Sequence, residues 1–175
     1  MASSNSGLGD AKFKNKFKNY NNAISTNFLA PLKIILALKN CLKNKKTLNN
    51  SASVINLSSI YGVLSPDQSI YKKNKYVNPI DYGCSKSSQI QMIRYLANDR
   101  GFKNIRFNNI VAGPIPNQNQ NFYKQIYKKK LINKISIQRL GKPEDLIGVI
   151  FLLLSKKSSY ITGSSIFVDG GFSSN

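Results

Sequence analysis

Hydrophobic residues along the chain alternate between short β-prone runs and stretches with helical spacing. Residues 51–58 and 103–111 are compact runs rich in Val, Ile and Phe and bounded by polar residues, which predicts two buried strands. Residues 165–168 predict a third strand. Between the first two, residues 82–100 place apolar side chains three and four positions apart, which is typical of an amphipathic helix.

Two further helices are predicted on either side of this central pattern. Residues 24–42 predict one long helix, which Pro31 is expected to kink. Residues 143–154 predict another, with proline and two acidic residues in its first turn. The polar, Lys- and Asn-rich residues 1–22 are expected to supply no strand and to precede a single domain at 23–175.

The order of these elements predicts the fold class. Helix and strand alternate with no hairpin signature, which favours βαβ units and a parallel sheet covered on both faces. We therefore expect an α/β, Rossmann-like, three-layer α-β-α domain. Three strands are few for such a sheet, so the N-terminal dinucleotide-binding βαβ half of a doubly wound fold is predicted to be absent.

The amino-acid composition limits the kinds of functional site that the chain can contain. The 175 residues include 26 Lys and Arg against 7 Asp and Glu, a net charge of +19. Most basic residues are dispersed lysines, which favours a solvated surface over an anion-attracting one and argues against nucleic-acid binding. The chain has no His, and Cys41 and Cys84 cannot form a CxxC motif, so no metal site is expected. With no secretory or membrane segment evident, we expect a cytoplasmic protein.

Two Tyr-xxx-Lys pairs are candidates for proton transfer, Tyr71 with Lys75 and Tyr82 with Lys86. Chance alone gives about one such pair in this composition, so the spacing by itself is weak. Tyr82 opens the amphipathic helix, whereas Tyr71 precedes a charged stretch that ends at Pro79, which favours the second pair. On a helix the two side chains share a face, and the ammonium is expected to lower the pKa of the phenol, as a tyrosine acid or base requires.

A serine pair follows the first predicted strand. Ser58 and Ser59 lie at the carboxyl edge of the predicted parallel sheet, where such folds bind ligands. A hydroxyl there could hold a carbonyl oxygen beside Tyr82. The plainer alternative is that the serines only cap the strand exit and that Lys86 is an ordinary lysine on the helix surface.

Several motifs follow one another in order along the chain. They are Ser-Thr-Asn-Phe at 25–28, Asn-Leu-Ser-Ser-Ile-Tyr-Gly at 56–62, Tyr-Gly-Cys-Ser-Lys at 82–86, Ile-Arg-Phe-Asn-Asn-Ile-Val-Ala-Gly-Pro-Ile at 105–115, Gln-Arg-Leu-Gly-Lys-Pro-Glu-Asp at 138–145, Tyr-Ile-Thr-Gly at 160–163 and Val-Asp-Gly-Gly at 168–171. Together they resemble the short-chain dehydrogenase/reductase family. The insert between Ser59 and Tyr82 is similar to the branch encoded with flagellin-modification and surface-polysaccharide sugar enzymes.

This resemblance implies an oxidoreductase that uses NAD or NADP to exchange hydride with a carbonyl or alcohol carbon, here of a sugar-like small molecule. The implied catalytic residues are Asn27, Ser59, Tyr82 and Lys86. The implied cofactor contacts are Lys86, which binds the ribose, and the turn Gly113, Pro114 and Ile115, which lies against the nicotinamide.

Departures from the family pattern concern the nucleotide-binding half. The Gly-rich phosphate turn and the Asn-Asn-Ala-Gly motif are missing, and Ala112-Gly113-Pro114 replaces the usual Pro-Gly order. The chain therefore resembles the catalytic portion of a truncated or split enzyme. Its expected partner is a second copy or a complementing N-terminal half, and the alternative is a non-catalytic remnant that serves as a subunit.

Overall fold

The computed structural model describes residues 9–10, 17–43, 52–71, 76–116 and 125–174. Its helices and strands, in chain order, are β1 (Gly9–Asp10), α1 (Phe17–Ile24), α2 (Ala30–Ala37), α3 (Lys39–Lys43), β2 (Ala52–Ser59), β3 (Tyr76–Val77), α4 (Ile80–Asn98), β4 (Ile105–Ala112), α5 (Gln125–Ile132), α6 (Ile147–Leu154) and β5 (Ser165–Val168).

A three-stranded parallel sheet is the framework of the domain. β4 lies in the middle, with β2 on one side and β5 on the other. The register pairs Ser59 of β2 with Ala112 of β4, and Ala112 in turn with Val168 of β5. The carboxyl ends of all three strands therefore meet at one edge. The predicted α/β class and parallel sheet are confirmed, and the three predicted strands begin and end within two residues of their expected bounds.

Helices cover both faces of this sheet. On one face, Ile93 of α4 and Ile35 of α2 pack with Phe107 of β4. On the other face, Leu153 of α6 packs with Ile110 of β4. Successive β4 side chains point to opposite faces, and the strand is buried on both. This explains why its sequence has no alternation of apolar and polar residues.

Two asparagines form a polar row inside the sheet. Asn56 and Asn109 are register partners on β2 and β4, and Asn56 Nδ2 donates to Asn109 Oδ1 at 2.9 Å. Asn109 Nδ2 contacts the Ile90 carbonyl and the Ser165 hydroxyl, each at 3.4 Å. Buried amides are tolerated only when they are hydrogen-bonded, so this row favours a single strand register.

The N-terminal helix differs from its prediction. It begins at Phe17, so the expected boundary between residues 22 and 23 falls inside α1. A π-helical segment, Ser25–Leu29, then separates α1 from α2. Pro31 lies in the first turn of α2 and has no N–H to donate to the preceding turn. The disturbance expected at Pro31 therefore takes the form of a π-helical segment just before it.

Three elements were not anticipated from the sequence, namely the strands β1 and β3 and the helix α5. The expectation that residues 1–22 supply no strand is wrong, because β1 pairs with β3 in an antiparallel bridge with Gly9 opposite Val77. Two residues are too few to show a hydrophobic period. The helix α5 was also missed. Its residues Tyr127 and Leu131 pack with Ile70 in a small cluster beside the main core.

Replacing Asn109 by Ala tests the polar row. The change leaves the buried Asn56 amide without its acceptor, and we expect the free energy of unfolding in urea to fall by about 1–3 kcal/mol. Asn40→Ala, on the exposed surface of α3, is the matched control and should have a much smaller effect. Replacing Asn56 and Asn109 together should cost less than the sum of the single changes. Additive losses would contradict a coupled pair.

Candidate active site

The predicted catalytic side chains come from three elements that meet at the carboxyl edge of the sheet. Ser59 is the last residue of β2. Tyr82 and Lys86 lie one turn apart on α4, which packs against β2 and β4. Asn27 lies in the π-helical segment, which also packs against α4.

A close approach between the exit of β2 and α4 positions this cluster. Ser58 Oγ donates to the Lys86 carbonyl at 2.9 Å. Four residues further on, a Cβ at Gly62 would lie 2.8 Å from the Lys86 carbonyl carbon. Because real Cβ atoms do not approach a backbone so closely, position 62 requires glycine. The backbone is thus fixed against α4 at Lys86.

Tyr82 and Ser59 are brought together by this packing. Burial raises the pKa of the Tyr82 phenol, and a side-chain hydrogen bond with Ser59 opposes that rise. The Ser59 hydroxyl oxygen also accepts from the backbone N–H of Tyr61 at 3.3 Å. Ser59 therefore caps the turn after the strand, as the plainer alternative expected, and its hydroxyl also lies beside the Tyr82 phenol.

Lys86 is held by two neutral oxygens. Its Nζ donates to the Leu57 carbonyl and to Gln89 Oε1, each at 3.3 Å, and lies 5.9 Å from the centroid of the Tyr82 ring. Burial lowers the pKa of Lys86. The expectation that Lys86 lowers the pKa of Tyr82 is not met in this structure, because burial is the largest influence on both groups.

The Leu57 carbonyl that binds Lys86 points away from the sheet. In a parallel strand the N–H and C=O of one residue point to the same side, and successive residues alternate. Ala52 N donates to the Asn104 carbonyl on the β4 side, so Leu57, five residues later, points to the opposite side. Among the described residues no strand pairs with β2 there. The ammonium therefore lies on the outer edge of β2.

Asn27 is linked to Tyr82 through a serine that sequence reasoning missed. Asn27 Nδ2 donates to Ser85 Oγ, and Ser85 Oγ donates to the Tyr82 carbonyl, both at 2.9 Å. Asn27 and Ser85 are both buried. Ser85 lies within the Tyr-xxx-Lys motif, three residues after Tyr82, and that helical spacing was the available signal.

The turn after β4 contains the predicted cofactor contacts Gly113, Pro114 and Ile115. Gly113 N donates to the Val168 carbonyl at 3.0 Å, and a Cβ at Gly113 would lie 2.5 Å from the Cα of Asp169. Only glycine fits this close approach of two backbones. Gly113, Pro114 and Ile115 line a cavity of about 240 Å³ whose other wall includes Arg139 and Asp169.

Arg139 and Asp145 form a bidentate ion pair beside that cavity. Two guanidinium nitrogens of Arg139 bind the carboxylate at 2.7 and 2.9 Å, and this side-chain pairing is the main reason that the pKa of Asp145 falls to about 2. Asp145 also accepts from the Lys142 N–H. The pair thus fixes the loop that leads into α6.

Tyr71 is not placed as Tyr82 is. It ends a 3₁₀ segment, Gln68–Tyr71, whereas Tyr82 lies inside α4, and Lys75 lies outside the described residues.

In the described part of the chain, no cluster of His, Cys, Asp and Glu could hold a metal ion. No helix among the described residues is long and apolar enough to cross a membrane.

Comparisons with known proteins find relatives that match most of this chain. A family model described as enoyl-(acyl carrier protein) reductase matches residues 2–173. The 3-oxoacyl-[acyl-carrier-protein] reductase of Thermotoga maritima is 32% identical over 69% of this chain and 45% of its own length. Post-translational flagellin modification protein A of Campylobacter coli is 30% identical over 69% of this chain and 45% of its own length. The chain thus spans about half the length of the curated relatives it matches.

A solved structure shows the same fold. The short-chain dehydrogenase of Leptospira borgpetersenii with bound NAD+ superposes with a TM-score of 0.79 and 30% sequence identity, over 91% of this chain and 58% of that one.

Ser59→Ala tests the contact between Ser59 and Tyr82. Because the hydrogen bond opposes the effect of burial, its loss should raise the pKa of Tyr82 further. The phenol can be followed by ultraviolet titration as the difference between each protein and its Tyr82→Phe counterpart. Ser87→Ala, on the exposed side of α4, should leave the titration unchanged. An unchanged Tyr82 titration in Ser59→Ala would show that the two hydroxyls do not interact.

Proposed function

Because the chain belongs to the short-chain dehydrogenase/reductase family, we propose that it is the catalytic portion of an NAD(P)-dependent oxidoreductase. The reaction would transfer a hydride to or from a carbonyl or alcohol carbon. The observation that carries this proposal is the meeting of Ser59, Tyr82 and Lys86 at the carboxyl edge of a parallel sheet.

The described residues fit one end of a nicotinamide dinucleotide. Lys86 offers an ammonium on the outer edge of β2, and Gly113 to Ile115 form a close turn at the neighbouring strand end. Lys86 would hold the ribose hydroxyls and the turn would lie against the nicotinamide. The bound cofactor would supply or accept the hydride.

The protein residues divide the remaining work. The Tyr82 phenol donates a proton to the substrate oxygen in reduction, and its phenolate takes the proton from the alcohol in oxidation. Burial raises the pKa of Tyr82 and so favours the protonated form that donates. Ser59 donates a hydrogen bond that orients the same oxygen. Asn27 and Ser85 hold the helix turn that carries Tyr82. Asn27 would also bind a water molecule through which the proton passes between Tyr82 and solvent.

A sugar-like substrate from surface-glycan or flagellin modification is the finer proposal. Its support is the insert between Ser59 and Tyr82 and the likeness to the Campylobacter coli flagellin modification protein. The cytoplasmic location also stays a prediction.

Assembly with another chain completes the proposal. Among the described residues no strand pairs with the outer edge of β2, and edge strands of this kind pair with other strands. The exposed apolar side chains Ile34 and Leu36 of α2 and Tyr95 of α4 add a surface for association. The partner would be a complementing N-terminal half or a second copy of the chain.

Two tyrosine variants test the catalytic assignment in the complemented protein. Tyr82→Phe should reduce kcat by roughly 10²- to 10⁴-fold, because it removes the proton donor. Tyr71→Phe, the matched control, should retain activity within a factor of about two. Steady-state assays of nicotinamide absorbance measure both. Equal losses would show that the wrong pair was chosen, and an inactive complemented protein would favour a non-catalytic subunit.

Dinucleotide binding by the chain alone should be weak. The sequence has no Gly-rich turn at a helix N-terminus, so the pyrophosphate would lack backbone N–H donors that dispersed lysines cannot replace. Isothermal calorimetry with NAD and NADP, in both redox states, measures this. Saturation of the chain alone at micromolar dinucleotide would contradict the need for a complementing half.

A further inference from the structure

Gln89 is a buried amide beside the candidate catalytic lysine. It lies three residues after Lys86 on α4, and only 2% of its surface is exposed. Its Oε1 accepts from Lys86 Nζ at 3.3 Å. Residues three apart on a helix are neighbours, so the contact follows directly from the sequence spacing. A buried amide oxygen is costly without a donor, and Lys86 supplies one.

The positive charge of the Lys86 ammonium is stabilised by neutral hydrogen-bond acceptors. Its two hydrogen-bond acceptors are the Leu57 carbonyl and Gln89 Oε1, which are both neutral. The two ion pairs found in the described part of the chain, Lys134 with Asp67 and Arg139 with Asp145, do not include it. In a partly buried site, each oxygen that binds the ammonium favours its charged form. Removing one of two such acceptors therefore has a large relative effect.

We propose that Gln89 is a positioning residue for Lys86. The Gln89 side-chain oxygen fixes the ammonium between the outer edge of β2 and the Tyr82 ring and favours its charged form. This inference rests on the proposed function, in which Lys86 binds the cofactor ribose, and it assigns to Gln89 the positioning of that lysine. The Leu57 carbonyl is part of the strand backbone and any residue there would supply it. Of the two acceptors, only the Gln89 oxygen therefore depends on the identity of a side chain.

A purely structural role for Gln89 makes a different prediction. A buried glutamine that only fills space would change the free energy of unfolding when replaced and leave the titration of Lys86 unchanged. A positioning residue must change that titration.

Three variants of the full chain separate these roles. Gln89→Met keeps the length and flexibility of the side chain but removes the oxygen acceptor. Gln89→Glu keeps an acceptor and adds a negative charge beside the ammonium. Gln91→Met makes the same chemical change on the exposed side of α4 and is the matched control. Circular dichroism establishes that each variant is folded.

The readout is the rate at which an amine-selective acylating reagent modifies Lys86, followed by peptide mass spectrometry across a pH series. The reagent attacks only the neutral amine. The pH midpoint therefore reports protonation, whereas a change in accessibility alters only the plateau rate at high pH.

Gln89→Met should increase the modification rate of Lys86 at neutral pH by roughly three- to tenfold and move the midpoint to lower pH. Gln89→Glu should slow the reaction and move the midpoint to higher pH. Gln91→Met should match the wild type. Equal midpoints in Gln89→Met and Gln91→Met would overturn the proposal. If Gln89→Met does not fold, an unchanged midpoint in Gln89→Glu would overturn it equally.

Activity measurements form a separate arm. In the complemented protein, the pH profile of kcat should move in the same direction as the Lys86 midpoint in each variant. Absence of oxidoreductase activity in every variant would contradict the proposed function, while the modification rates would still decide the role of Gln89.

Discussion

The close approach of the β2 exit to helix α4 is the constraint on which the candidate site depends. The backbone around Gly62 lies against the Lys86 carbonyl, and Ser58 donates to that same carbonyl. Ser59 precedes this contact and Tyr82 lies one helical turn before it. A side chain at position 62 would move the strand exit away from the helix and separate the serine from the tyrosine. One glycine thus determines the distance between Ser59 and Tyr82 in the candidate site without touching either side chain.

Burial, more than charge, determines the electrostatics of the site. The chain carries a net charge of +19, yet the phenol and the ammonium of the candidate pair are both shifted toward their neutral forms, mainly by desolvation. The surface lysines are solvated and screened, so their charge has little effect at this depth. The hydrogen bond with Ser59 opposes the effect of burial on Tyr82, and the proposed role of Gln89 is to oppose it on Lys86.

Local pattern was sufficient to predict the parallel sheet, because β4 and its neighbours are short buried runs separated by helical spacing. Context also separated Tyr82 from Tyr71, since only Tyr82 opens an amphipathic helix. The π-helical segment could not be predicted from the sequence, because Pro31 indicates that the helix is disturbed but not which form the disturbance takes. The true partners of Lys86 were also missed. They depend on how a strand edge and a helix face meet, which is a tertiary property.

The carbonyl of Leu57 links the outer edge of β2 to the lysine. The oxygen has two lone pairs, so a backbone N–H from a pairing strand would share this acceptor with the Lys86 ammonium that already binds it. A ligand that draws Lys86 away would leave the oxygen to the backbone N–H alone. Any influence of sheet extension on ligand capture at the lysine must therefore be matched by an equal influence in the other direction.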